Sequence, residues 1–367
     1  DYGYGVACDS SGYVYLTGQI AATSQALIKN QGGALIGAFP ALQNASAYVV
    51  KFDSSGGLYS PSVTPPTTFS RTIDGTGIDS TGTDGGKTIT YDSSGNMYVS
   101  GYYGTASPTI RDQYGTPIGT LPAPSGTYAS FVSKFDSSGV YQYSRLVDGT
   151  GAEYGNGVAC DSSGNMYFTG QFDTAAPTIK DENGTSLGTL PAPAGIVAFA
   201  SKFNSSGVLQ YSIVVDGSGS DYGYTSACDS SGNMYFAGTY GPGSPTIYFV
   251  SSASVATGVA VLPATASGSG VFTSKFNSSG TYQYSIVIDG SGTDLGYSVT
   301  CDFSNNMYIS GYYSSTSTVI KTVNSSNVSS TVASLPAPLG GTVAFVSKFD
   351  STGAYQYSRL LDSTGAK

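Results

Sequence analysis

An all-β fold made of five like units is what this chain predicts, on three observations. The string CDSSGNMYFTG at Cys160–Gly170 returns almost unchanged at Cys228–Gly238, with variants at Cys8 (CDSSGYVYLTG), Tyr91 (YDSSGNMYVSG) and Cys301 (CDFSNNMYISG). Each copy sets short runs rich in β-branched and aromatic residues between Asp/Asn-Ser-Gly turn strings. No run carries a helical period, and nothing has the strand–helix–strand rhythm of a parallel sheet. Repetition this regular outweighs the two-domain prior for 367 residues, because each copy has to bury its neighbour's surface.

The unit that starts at Glu153 shows the elements in order. GVAC is strand A, DSSG a turn, NMYFTG strand B; a longer excursion leads to AFASKF as strand C, NSSG as a second turn, and LQYSIVV as strand D. Asp or Asn in the turn bonds the backbone ahead of it, and Gly accepts the positive φ that a tight hairpin needs. Four antiparallel strands with two apolar faces are stable only between neighbours, and closing them into a ring leaves only short edges. The expectation is therefore a five-bladed β-propeller with an extra hairpin excursion between strands B and C of each blade. Its blades are 1–83, 84–152, 153–220, 221–293 and 294–367 of a single domain. An open β-solenoid or a string of linked repeats is the competing architecture.

The string GVACDSSGNMYFTG, with its Asp-Gly turn, aromatic-bearing strand and closing Gly, resembles the SBBP repeat, a family of short β-propeller repeats. It is similar, more distantly, to the NHL-type blade. The likeness covers the first hairpin of all five copies; the second hairpin matches less well. The resemblance implies a propeller displayed at an exposed location, as in bacterial surface proteins and large DNA viruses. It implies no activity.

Both Asx-Gly turns of a blade fall on one rim, short and uniform. The other rim receives the D–A link and the excursion, such as YYGTASPTIRDQYGTPIGTLPAPSGTY from Tyr102 to Tyr128. The pattern PTIRD, turn, IGTLPAP reads as a hairpin standing on its blade, its ends stiffened by proline. Its basic residue recurs as Lys29, Arg111, Lys180 and Lys321 but becomes Tyr248 in the fourth copy, whose excursion turns apolar; the fifth becomes Ser/Asn-rich. Variable loops on a rigid scaffold are where binding sits, although drift in unconstrained loops has the same look. The Pro-rich insertion Gly57–Pro66 in copy 1 reads as a tolerated insertion or a docking segment.

Composition narrows the function. A formal charge of −9 with few lysines does not suit a phosphate backbone, so no nucleic-acid partner is expected. No apolar run approaches the roughly 20 residues of a membrane helix, so direct membrane insertion is not expected. The chain opens at Asp1 rather than Met, at the edge of a repeat, as it would after removal of a leader or of further repeats. The cysteines Cys8, Cys160, Cys228 and Cys301 occupy equivalent positions that repeat spacing should hold apart, so free, buried thiols are expected. Sequons at Asn44, Asn183, Asn204, Asn277, Asn324 and Asn327 point the other way, to an exported chain, but so Ser/Thr-rich a sequence produces several by chance.

With no histidine, Ser-His-Asp and Cys-His nucleophiles and His-bearing zinc sites are excluded. A glycosidase needs two carboxyls in unlike environments, and this chain offers near-copies. No catalytic residue, metal site or cofactor is therefore expected, and the chain is read as a non-enzyme.

Two sets remain as ligand-binding candidates. The acids opening strand A are Asp1, Asp84, Glu153, Asp221 and Asp294; around a propeller axis they would face one funnel and attract a cation, unless each holds its own D–A loop by backbone N–H bonds. The aromatics are Tyr2, Tyr154 and Tyr222 after the acid, and Tyr103, Phe172, Tyr240 and Tyr313 after the Gly of strand B. They suit sugar faces or protein partners, or else pack between blades. Asp74, Asp148, Asp216, Asp289 and Asp362 read as turn formers, and Lys51, Lys134, Lys202, Lys275 and Lys348 of strand C as ion-pairing or snorkelling lysines. The function expected is a structural or adhesive binding module at an extracellular or virion surface, with protein or glycan partners and a place in a larger assembly. A multivalent lectin is the alternative, a glycosidase a remoter one.

Overall fold

A computed structural model of the chain describes residues 2–8, 13–20, 25–29, 34–41, 46–52, 69–74, 84–104, 107–173, 175–265 and 267–362. The first candidate acid, Asp1, and the insertion Gly57–Pro66 lie outside them, as do the side chains of Tyr2, Cys8 and Asp74. The described residues are all strand, turn and connection, and no helix among them is long and apolar enough to cross a membrane.

The four expected strands form in every copy. Strands A, B, C and D are Tyr2–Cys8, Val14–Ile20, Ser46–Phe52 and Phe69–Asp74 in copy 1; Gly85–Tyr91, Met97–Tyr103, Ala129–Phe135 and Tyr141–Asp148 in copy 2; and Tyr154–Cys160, Met166–Phe172, Val197–Phe203 and Leu209–Asp216 in copy 3. They are Tyr222–Cys228, Met234–Tyr240, Gly270–Phe276 and Tyr282–Asp289 in copy 4, and Asp294–Cys301, Met307–Tyr313, Val343–Phe349 and Tyr355–Leu361 in copy 5. Each excursion is a hairpin: Gln25–Lys29 with Leu35–Ala41, Thr109–Arg111 with Pro117–Thr120, Thr178–Asp181 with Ser186–Thr189, Thr246–Ser251 with Ala256–Val261, and Val319–Asn324 with Ser329–Ser334.

The hairpins do not stand on their own blades. Each of the last four adds to the outer strand D of the preceding copy, in register Ile73↔Ile110, Val147↔Ile179, Val215↔Ile247 and Ile288↔Ile320. A sheet is thus A-B-C-D of one copy plus two strands lent by the next, six in all. The copy 1 hairpin is a two-stranded sheet by itself, and the copy 5 sheet has four strands. The lent Ile110, Ile179, Ile247 and Ile320 are all buried, which ties the hairpin into a core that strand D alone would leave open.

The described chain divides into two compact units, residues 1–158 with 177–189 and residues 159–176 with 190–367. In the first, aliphatic and aromatic side chains of copies 1 and 2 (Tyr15, Val49, Met97, Phe131, Phe135) form one core. In the second, cores join copy 3 to copy 4 (Tyr167, Ile213, Phe236, Phe272) and copy 4 to copy 5 (Val271, Ile286, Ile309, Phe345). Strand C is buried along its whole length in copies 2, 3 and 4, since both sheet faces are covered, whereas in copy 5 buried and more exposed residues alternate.

Local chemistry explains the rest. In the A–B turns, Oδ1 of Asp92, Asp161, Asp229 and Asp302 accepts the amides two and four residues on, and Oδ2 accepts the hydroxyl of Tyr98, Tyr167, Tyr235 or Tyr308. Gly95, Gly164 and Gly232 take φ of 72–75°, and Asn305 takes φ 62° where copy 5 lacks the Gly. The strand C lysines reach over a tyrosine ring to the next copy: Nζ of Lys51, Lys202 and Lys275 donates to the carbonyls of Ser137, Ser278 and Ser351 at 3.2, 2.6 and 2.8 Å. Lys275 and Lys348 also stand 3.5 and 3.8 Å from Asp229 and Asp302, the expected ion pairs.

Candidate recognition surface

The opening acids hold loops. Asp84, Glu153, Asp221 and Asp294 are buried, so the structure does not offer them to a cation. Oδ2 of Asp221 accepts the amide of Gly217 (2.7 Å) and Oδ1 that of Gly241 (3.2 Å), which pins the D–A link to the end of strand B. Oδ1 of Asp84 accepts Gly104 N, Oε2 of Glu153 accepts Gly149 N, and Oδ1 of Asp294 accepts Ser314 N. No group of three or more Cys, Asp or Glu able to hold a metal occurs among the described residues.

Burial pushes the carboxyl of Asp221 up to about 7 and that of Asp294 to about 6, against an ordinary 3.8. The folded state therefore holds protons at pH values where the unfolded chain has released them, so these two acids make stability fall as pH rises from about 4 to about 7. Asp302, held at about 2 by its bond from Asn306, acts only below 3.8 and in the opposite sense. We expect the melting temperature of the second unit to rise as pH is lowered from about 7 to about 4, and Asp221→Asn to flatten the slope. A melting temperature that falls over that window in calorimetry would contradict this assignment.

The aromatics after strand B are core residues. Tyr103, Phe172, Tyr240 and Tyr313 have no exposed surface, and the three phenols donate to the carbonyls of Pro122, Pro263 and Pro336 at 2.9, 2.9 and 2.8 Å. They anchor the proline-marked return of the excursion, and Phe172 shows that the ring suffices without the hydroxyl.

Tyr154 and Tyr222, half-buried, belong instead to two partly exposed tyrosine rows. In the first unit, Lys87 Nζ stands 4.3 Å over the Tyr4 ring and 5.4 Å from Tyr102, and Tyr102, Tyr128 and Tyr154 touch mutually at centroid distances of 5.0–5.4 Å. In the second, Tyr222 stacks on Tyr224 (6.1 Å, 7°), Tyr224 meets Tyr297 (5.6 Å), and Tyr297 meets Tyr312 (5.9 Å). Tyr4 and Tyr297 are 46% and 51% exposed. The residue two beyond the first candidate position was the signal missed: Tyr4, Tyr224 and Tyr297 all stand there, and the Tyr224 ring lies parallel to that of Tyr222.

Cys160, Cys228 and Cys301 form no disulfide and are half-buried rather than enclosed. They are not isolated either, since all three line one recess of about 290 Å³ with Asp161, Asp229 and Asp302 and the fully exposed Phe303. Burial raises the Cys228 thiol well above its ordinary value and that of Cys301 to about 12, so neither is a ready thiolate at neutral pH.

A second concavity, about 540 Å³, lies in the second unit between the hairpins lent by copies 4 and 5. Phe249 and Tyr282 supply rings; Thr257, Ser279, Thr281 and Ser325 supply hydroxyls.

No family model matches the chain. An uncharacterized WD repeat-containing protein, L264, of Acanthamoeba polyphaga mimivirus is 24% identical over 158 residues, which is 42% of this chain and 11% of that protein. Among solved structures, a protein of unknown function from Bacteroides caccae is 11% identical, over 72% of this chain and 93% of that one, with a TM-score of 0.25. A eukaryotic initiation factor is 9% identical over 79% and 93%, with a TM-score of 0.16. Values this low carry no argument about fold. The WD-repeat relative and the antiparallel sheets of four to six strands agree on a β-propeller-like repeat protein.

Proposed function

We propose that this chain is a non-enzymatic binding module displayed on a virion or cell surface, and that its five copies are blades of one SBBP-type propeller. The observation that carries the binding role is the pair of tyrosine rows. Rigid amphipathic rings, held by mutual contact and open on one side, give contact area at little entropic cost. The non-enzymatic reading is supported by the carboxyls with raised pKa, Asp221 and Asp294, each bonded inside its own loop instead of sharing a cleft. The surface reading is supported by the viral relative and by the resemblance of the first hairpin.

The five-blade reading is supported by the edge of copy 5. Arg359 and Asp362 stand where Arg145 and Asp148 receive Glu182 (2.7 Å) and Lys180 (2.6 Å) of the next hairpin. Oδ1 of Asp362 is shielded from solvent and has no partner among the described residues. An edge of this chemistry accepts one more Lys-bearing hairpin.

Surface biotinylation of intact particles or cells of the source organism tests the main reading. We expect the chain to be labelled before lysis; labelling only after lysis would overturn it. A second reading, a multivalent lectin, is favoured by the ring-and-hydroxyl lining of the concavity in the second unit, and a glycan array separates the two.

A further inference from the structure

We propose that the concavity between the copy 4 and copy 5 hairpins is a binding site for a neutral saccharide, engaged by one or two pyranose rings. The inference rests on the lectin reading and gives it a place in the fold.

The site exists because two hairpins are long. The first strand of the lent hairpin has three residues in copy 2 and four in copy 3, but six in copies 4 and 5. The extra length carries Phe249 and Thr257, which face each other in register, past the C–D turn Asn277–Gly280. The neighbouring hairpin closes the far side, its tip joined to the first where Asn327 Oδ1 accepts the amide of Val261 (3.1 Å). Gly280, with φ +86°, has no room for a side chain against Phe249 and Tyr211, so the turn lies close on those rings. A volume of about 540 Å³ is within the range of small-ligand sites, roughly 300–1,000 Å³.

The lining selects the ligand class. Phe249 is fixed by its contact with Tyr211 (5.5 Å), and the Tyr282 phenol is spent on Ser285 Oγ (3.0 Å) and the Val323 carbonyl (3.1 Å). These rings therefore present apolar surface, which matches the C–H face of a sugar ring. Around them, the hydroxyls of Thr257 and Ser325 are exposed and make no bond to protein among the described residues, while those of Ser279 and Thr281 bond only within their own turn. Among the described residues, none that lines the concavity is charged. A phosphate, carboxylate or amine would give up its hydration without an opposite charge to meet, whereas an uncharged polyol meets donors and acceptors at the rim and apolar surface below.

The test is a titration followed by NMR, with glucose, galactose, mannose, N-acetylglucosamine and cellobiose each raised to about 10 mM, the weak end of specific affinity. The expected result is saturable shifts confined to residues around Phe249 and Ser279 for at least one sugar. Thr257→Arg, an exposed position where the long side chain fills the groove without touching the core, should weaken that binding at least tenfold while the melting temperature stays unchanged. Binding that persists undiminished in Thr257→Arg overturns this site and leaves the lectin reading standing. No saturable shift with any of the five sugars, together with silence on the glycan array, overturns both.

Discussion

Gly238→Ala is expected to destabilise the second unit by about 3 kcal/mol or more, at the top of the range for overpacked interiors. Gly238 lies within strand B of copy 4, and a Cβ there would fall on the carbonyl oxygen of Tyr222 and 2.9 Å from the Phe272 ring. The cause is a bulge: the register of strand A against strand B slips between Gly223 and Thr225, which draws the edge strand's backbone over Gly238. Gly101 and Gly311 meet the carbonyls of Gly85 and Leu295 in the same way. Gly258, in the lent hairpin, is the control, because its Cβ would come no closer than 3.4 Å to Thr246. Urea unfolding of the two alanine variants should therefore separate them widely. A Gly238→Ala protein within about 1 kcal/mol of the parent would contradict the close approach.

The second large effect is expected at the heart of a lent hairpin. Ile247 is fully buried and packs in one core with Val215 of copy 3 and Tyr240 of copy 4. Ile247→Ala removes three methyl-sized groups from a site walled by strands of two copies, and should cost about 2–5 kcal/mol. The loss should also loosen copy 3, whose strand D would keep its ladder to the hairpin but lose the side chain that fills it. Amide exchange resolved by peptide should show faster exchange in Leu209–Asp216 as well as in Thr246–Ser251. Faster exchange in the hairpin alone would mean that the hairpin is an ornament of its own copy.

The elements were legible and one connection was not. Asp-Ser-Ser-Gly marked the A–B turns of copies 2, 3 and 4, and Asp-Phe-Ser-Asn that of copy 5, because Asx bonding and a positive-φ residue are local requirements, met within five residues of chain. The proline-edged hairpin was legible for the same reason. Its destination was not, since short-range logic places a hairpin on the sheet it leaves, while the partner strand lies in the preceding copy. The clue was present in two periodic sets never compared: Asp148 and Asp289 are matched across copies by Lys180 and Lys321. Where the basic residue becomes Tyr248, Asp216 accepts the amide of Ala194 in place of a lysine, and burial raises its carboxyl above the ordinary value.

The candidate residues divide by burial. Residue types pointed to tyrosine, and the structure does carry partly exposed tyrosine rows. Position by position, however, the second residue after the strand B glycine faces the core, whereas Tyr4 and Tyr297 of strand A are exposed. The acids were visible as a periodic set, yet periodicity alone does not distinguish a funnel from five loop staples. Only the distances from Asp221 to Gly217 and Gly241 do that.

Lending of hairpins between copies is the claim on which the architecture rests, and a cysteine pair tests it directly. Val214 of copy 3 faces Tyr248 of copy 4 across the two strands, and residues so paired hold their Cβ atoms about 4.5–5.5 Å apart, close enough for a disulfide to form with slight adjustment. With the four native cysteines replaced by alanine, Val214→Cys/Tyr248→Cys should oxidise within one chain and resist unfolding more than its reduced form. A pair that stays reduced under mild oxidant, in a chain that is folded by circular dichroism, would contradict the account.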